Sequence, residues 1–165
     1  MTSTAPTTDK GVGIRRLQHL VLYVSDLERS KRFYQDLLGF ELAHERPGSA
    51  VFLRIPGGGN DHDLGLFAQP GVTPPNPTAA RMYHSAWEVG DLSDLARAAM
   101  RLSHAGALVG SSNHGGSLSL YSQDPDGLEF EVFWTVPDGP PANTTRELDL
   151  PGELAKRGIA WPQTQ

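Results

Sequence analysis

The chain has six histidines and no cysteine, so it has no thiol nucleophile, and oxygen and nitrogen ligands are all it can offer a metal. The most awkwardly placed of these groups is Glu131. In Leu128-Glu129-Phe130-Glu131-Val132-Phe133-Trp134 the residues alternate, and a carboxylate stands mid-strand among large apolar side chains. An unpaired charge is costly there, and a metal ion is one candidate to compensate it. Two histidines are placed to join it. His19-Leu-Val-Leu-Tyr-Val24-Ser-Asp26-Leu27 matches His84-Ser-Ala-Trp-Glu-Val89-Gly-Asp91-Leu92, with histidine, valine, aspartate and leucine all recurring at an offset of 65. Glu131 lies 47 residues after His84, and the position 46 residues after His19 is Gly65. If the repeats pair about a pseudo-twofold axis, His19, His84 and Glu131 converge on one cleft, and glycine leaves the fourth position open. Two neutral imidazoles and one carboxylate with open positions suit Fe(II) in oxygen chemistry. Zn²⁺, Mn²⁺ or Ni²⁺ fits the same atoms.

The elements that must position these residues follow from local pattern. Leu17–Val24 reads as a buried strand, and Ser25 or Asp26 caps a helix over Leu27–Leu38 that stops at Gly39. Three strands are expected at Phe40–His44, Ala50–Ile55 and His62–Ala68, with a turn at Gly57–Asn60 before the last. Residues 69–81 hold a proline-rich stretch that no helix or central strand accepts, and read as a linker. The pattern then restarts with a strand over Met82–Val89, a helix over Asp91–His104 and a strand over Gly106–Val109. Two more strands follow, joined by the Asp124-Pro-Asp-Gly127 turn. The organisation is therefore a leader (1–13), a βαβββ module (14–68), the linker (69–81), a second βαβββ module (82–134) and a tail (135–165). One short helix is expected in the tail, near Gly152–Arg157. The fold class is α+β, with paired modules curving into a cup-like mixed sheet around a metal site.

At 165 residues, 38% hydrophobic and 20% charged, the composition is that of an ordinary globular domain. A net charge of −5 offers no basic footprint for nucleic acid. No apolar run suits a membrane span or a signal peptide, so a cytoplasmic location is expected.

Residues 14–134 resemble the vicinal oxygen chelate superfamily of paired βαβββ modules, which includes glyoxalases, bleomycin-resistance proteins, fosfomycin-modifying enzymes and extradiol ring-cleaving dioxygenases. His114-Gly…Tyr121…Asp-Pro-Asp-Gly…Glu131 is similar to the extradiol fingerprint, and His62-Asp-Leu-Gly-Leu-Phe to its His-Asp-hydrophobic strand. The resemblance implies that His19, His84 and Glu131 hold Fe(II) and that a catechol chelates it. It further implies that His62 stands beside dioxygen as acid/base, that Tyr121 bonds a substrate hydroxyl, and that His114 flanks the ring. The partners implied are a small aromatic substrate, O₂ and a second copy in a homodimer. Three other readings compete: a glyoxalase-like lyase or isomerase, a fosfomycin-type transferase, and a non-catalytic binder of small molecules. Gly65 disfavours the first, because a glyoxalase I takes a fourth, acidic ligand near that position. His44 and His104 are read as structural.

Overall fold

The computed structural model describes residues 12–141 and 144–163; residues 1–11 of the expected leader lie outside them. The first module runs β1 (Leu20–Val24), α1 (Leu27–Leu38), β2 (Glu41–Arg46), β3 (Ala50–Arg54) and β4 (Leu64–Ala68). The second runs β5 (Ser85–Glu88), α2 (Leu92–His104), β6 (Leu108–Asn113), β7 (Ser117–Gln123) and β8 (Glu129–Thr135). The tail adds α3 (Leu150–Lys156). Among the described residues, no helix is long and apolar enough to cross a membrane.

Each module closes its own four-stranded sheet, and both have one topology: β1-β4-β3-β2 and β5-β8-β7-β6. The first strand pairs parallel with the fourth, and the remaining pairs are antiparallel. The eight strands thus form two mixed sheets rather than one continuous sheet. The repeat extends to capping chemistry. Asp26 accepts a hydrogen bond from the Arg29 amide at 3.0 Å, and Asp91 accepts one from the Asp94 amide at 2.8 Å. These bonds satisfy amides that a helix start leaves unpaired. Gly39 ends α1 at φ 76°, a left-handed conformation that a side chain would oppose.

The strands begin later than their apolar runs suggest. β1 starts at Leu20 rather than Leu17 because its ladder to β4 begins at Leu20↔Leu64. β5 starts at Ser85 rather than Met82, opposite Phe130. His19 and His84 therefore each sit one residue before a first strand, free of ladder constraints. β6 runs on to Asn113 through Gly-Ser-Ser, residues with little strand signature, because β7 supplies a full set of partners. α3 begins two residues earlier than expected, with Asp149 capping Gly152 and proline in the first turn.

Two apolar cores lie between the helices and the sheets, one per module. Phe33, Leu38 and Trp87 pack against both. Across the seam, Phe33 meets Phe130 edge-on at 5.9 Å and Phe40 meets Trp87 at 5.3 Å. The Asp-Pro-Asp-Gly turn contributes the polar part of this seam. Asp124 accepts the amides of Asp126 and Leu128 with one oxygen and the buried Tyr34 hydroxyl with the other, at 3.0 Å. Asp126 accepts from the Ser25 amide and hydroxyl and pairs with Arg29 at 2.9 Å. The second module's turn is thereby fastened to the start of the first module's helix.

Candidate functional site

Strand register explains the spacing of the candidate residues. In the β7–β8 ladder Tyr121 lies directly opposite Glu131. In the β5–β8 ladder Glu131 lies opposite Ala86, two residues after His84. The first module repeats the frame with other side chains: Val21 is opposite Gly65, and Gly65 is opposite Phe52. Gly65 and Glu131 are thus equivalent, as are Phe52 and Tyr121. A Cβ built on Gly65 would meet Val21, Phe67 and Phe52 at 3.4–3.7 Å, so the position is surrounded by apolar side chains.

The structure gathers the six predicted residues into three pairs. In the first, His84 Nε2 stands 3.2 Å from Glu131 Oε2, and His84 Nδ1 stands 3.8 Å from Glu129 Oε1. The imidazole supplies the neighbour that the mid-strand carboxylate requires. His84 Nδ1 is itself buried with no hydrogen-bond partner, which leaves a lone pair or proton uncompensated. In the second pair, His114 Nε2 and the Tyr121 hydroxyl lie 2.8 Å apart, and His114 Nδ1 lies 2.8 Å from the Thr144 carbonyl. The His84 and Tyr121 rings, 5.8 Å between centroids, bring these two pairs side by side. Burial and the facing Glu131 carboxylate push the Tyr121 phenol above its ordinary value, with Tyr83 and Glu129 adding to the effect. Tyr121 is therefore a protonated phenol near neutral pH.

The third pair is on the first module. His19 and His62 rings lie 4.6 Å apart, with Phe52 5.1 Å from His62. Asp61 holds His62 Nδ1 at 3.0 Å and His44 Nε2 at 2.8 Å. Hydrogen bonds from His62 and His44 lower the Asp61 carboxyl from its ordinary value. The sequence reading left His44 without a role. Its link to Asp61 arises because β2, β3 and the Gly57–Asn60 turn fold back on one another, which spacing alone does not display. Glu129, Tyr83 and Thr144 are likewise neighbours of the site that spacing did not single out.

Among the described residues, no three His, Asp or Glu side chains converge in an arrangement able to hold a metal ion. His84 and Glu131 fit a divalent cation as two of its donors, since their facing atoms are within 3.2 Å and His84 keeps a buried nitrogen unpartnered. His19 is not brought to them within the chain.

Residues 16–132 match the Glyoxalase/Bleomycin resistance protein/Dioxygenase superfamily. With the repeated modules and shared topology, this establishes that the chain belongs to that superfamily. It is 29% identical over 117 residues to Metapyrocatechase 2 of Cupriavidus necator, covering 68% of this chain and 34% of that one. It is 30% identical over 146 residues to Catechol-2,3-dioxygenase of Bacillus subtilis (strain 168), covering 83% and 50%. The chain thus spans half or less of the length of these two relatives. It is also 30% identical over 119 residues to Glutathione transferase FosA of Serratia marcescens, covering 72% and 80%. Among solved structures, a glyoxalase/dioxygenase from Nostoc punctiforme aligns with TM-score 0.64 at 24% identity, over 82% of this chain and all of that one. That likeness supports the fold alone.

Proposed function

We propose that the protein is an Fe(II)-dependent extradiol dioxygenase that opens the ring of a catechol-type aromatic with O₂. The observation that carries this reading is the placement of the Tyr121–His114 pair beside His84 and Glu131. A metal-only function has no need of a phenol and a second imidazole at that point. Similarity to two catechol-cleaving relatives supports the same reading.

His84 and Glu131 of one chain would hold the ion, and His19 would come from a second copy, because one chain does not bring the three together. Bound there, Fe(II) would supply the electronic link between a chelated catechol and dioxygen, which otherwise react slowly. The protein's own groups would do the rest. Tyr121 would engage a substrate hydroxyl, and His114 would stand behind it. His62, set beside His19 and oriented by Asp61, would serve as acid/base on the dioxygen side. Phe52 and Phe67, packed at 5.7 Å, would give the ring an apolar wall.

The test is turnover by anaerobically Fe(II)-loaded protein. Admitting air to catechol, 2,3-dihydroxybiphenyl or 1,2-dihydroxynaphthalene is expected to give a yellow ring-opened product. Absence of colour with all three overturns the assignment. A second reading, a fosfomycin-type transferase, is favoured by a match that covers 80% of FosA at 30% identity. Adduct formation between fosfomycin and glutathione in Mn²⁺-loaded protein would select it.

A further inference from the structure

Beyond β8 the chain doubles back to the candidate site. The Val136 amide donates to the Gly116 carbonyl at 2.9 Å, and Pro140 lies against Gly115, 3.3 Å from where a Cβ would stand. The returning segment then forms a bridge at the end of β6. Asn113 and Arg146 exchange both backbone hydrogen bonds, at 2.9 and 3.0 Å. That bridge delivers the Thr144 carbonyl to His114 Nδ1 at 2.8 Å.

This contact fixes where protons sit. A carbonyl only accepts, so His114 Nδ1 carries the hydrogen. In a neutral imidazole Nε2 is then bare, and it accepts the Tyr121 hydroxyl at 2.8 Å. The Tyr121 proton is committed to His114, and the phenol oxygen presents lone pairs to whatever binds beside His84. The resemblance implies that Tyr121 bonds a substrate hydroxyl; the hydrogen-bond chain gives that bond a direction, with Tyr121 accepting from a protonated ligand.

We propose that the tail segment Thr144–Arg146 is a working part of the site: it fixes His114 as a proton acceptor, so that the Tyr121–His114 pair takes the proton from a ligand hydroxyl. As that proton passes to the Tyr121 oxygen, the original Tyr121 proton passes to His114 Nε2. The ligand becomes an oxyanion, Tyr121 remains a phenol, and the imidazolium keeps its Nδ1–H bond to Thr144. Charge balances, with one negative charge on the ligand and one positive on His114. His114 and Thr144 act through Tyr121 and are positioning residues. The identity of the ligand rests on the dioxygenase reading, whereas the proton arrangement does not.

The test therefore separates the two. In metal-free, full-length protein at neutral pH, ¹⁵N–¹H correlation of the histidine rings, with the His114 signal assigned by its loss in His114→Gln, should show the Nδ1–H tautomer. A dominant Nε2–H tautomer or a doubly protonated ring overturns the proposal, whatever the enzyme's activity. Arg146→Pro removes one amide of the bridge and should mix the tautomers, while Arg146→Ala keeps the amide and should preserve them. In Zn²⁺-loaded protein, Arg146→Pro should lower the fraction of bound 4-nitrocatechol held as the dianion several-fold, read from its visible absorption, with zinc content unchanged. A tautomer that stays Nδ1–H in a folded Arg146→Pro chain refutes the role given to the tail.

Discussion

Tyr121 and Glu131 occupy one rung of the β7–β8 ladder, and the equivalent rung of the first module holds Phe52 and Gly65. The difference between an ionisable and an apolar rung is therefore two side chains on an unchanged frame. Tyr121→Phe removes the hydroxyl that His114 holds while keeping the ring beside His84. It should slow the proposed turnover roughly 10²-fold and leave metal content intact, measured by single-turnover absorbance and metal analysis on one sample. An unaltered rate would remove Tyr121 from the reaction. Gly65→Ala places a methyl among Val21, Phe67 and Phe52 at ordinary contact distance. It should leave the melting temperature unchanged or raise it, by up to about 1 kcal/mol of stability; a clear loss would mean that the pocket cannot accept even a methyl. The hairpin that carries Tyr121 and Glu131 was legible in sequence through its turn, and its register is what makes them cross-strand partners. The Asp61–His44 link and the Thr144 carbonyl were not legible, since each joins segments whose approach is set by tertiary folding. A backbone carbonyl, moreover, leaves no mark in residue type.

At the scale of elements, the Asp-Pro-Asp-Gly turn does more than reverse the chain. The sequence identified it as turn chemistry, and Asp124 does cap the turn by accepting the Asp126 and Leu128 amides. Its second oxygen and Asp126 then bind α1 and its cap, a long-range use that local pattern cannot reveal. Burial raises the Asp124 carboxyl above its ordinary value. The folded chain consequently holds that proton more tightly than the unfolded chain does. The resulting stability is fully present below the ordinary aspartate range, near about pH 4, and is lost as pH rises through the higher folded value. Asp124→Asn should flatten this part of the stability profile, seen in urea midpoints collected from acidic to neutral pH. A profile identical to the parent would mean that Asp124 titrates normally. Tyr34→Phe leaves an Asp124 oxygen without its buried partner and should cost about 1–3 kcal/mol in the same urea titrations. The boundaries of the two long helices were read well because their caps are local: α1 falls at Leu27–Leu38 as expected. Strand ends were read less well, because a strand stops where its neighbour stops.

For the whole molecule, the Asp124 and Asp126 contacts fix how the two modules of one chain sit together, with helices and aromatic side chains in the seam. That arrangement leaves His19 with His62 on one module and His84 with Glu131 on the other. If a second copy completes the donor set, His19→Ala and Glu131→Ala chains should each fail to retain metal alone, yet regain part of it when co-expressed. A mixed dimer carries one intact set, donated by both partners. No recovery in mixtures shown to contain mixed dimers would place the ion within single chains. Metal retention in the parent protein should also fall on dilution through the dimer dissociation range, followed by sedimentation alongside metal content.

The two inequivalent rungs have a consequence for descent as well as for chemistry. A duplicated unit that keeps its frame but holds Phe52 and Gly65 where its twin holds Tyr121 and Glu131 carries no ionisable side chain on that rung. That rung answers only to shape. Drift in Val21, Phe52 and Phe67 can enlarge or narrow the space offered to a ring without touching a proton or an electron. New substrates would then be acquired through the apolar rung, while His19, His62 and the second module's reactive residues stay fixed.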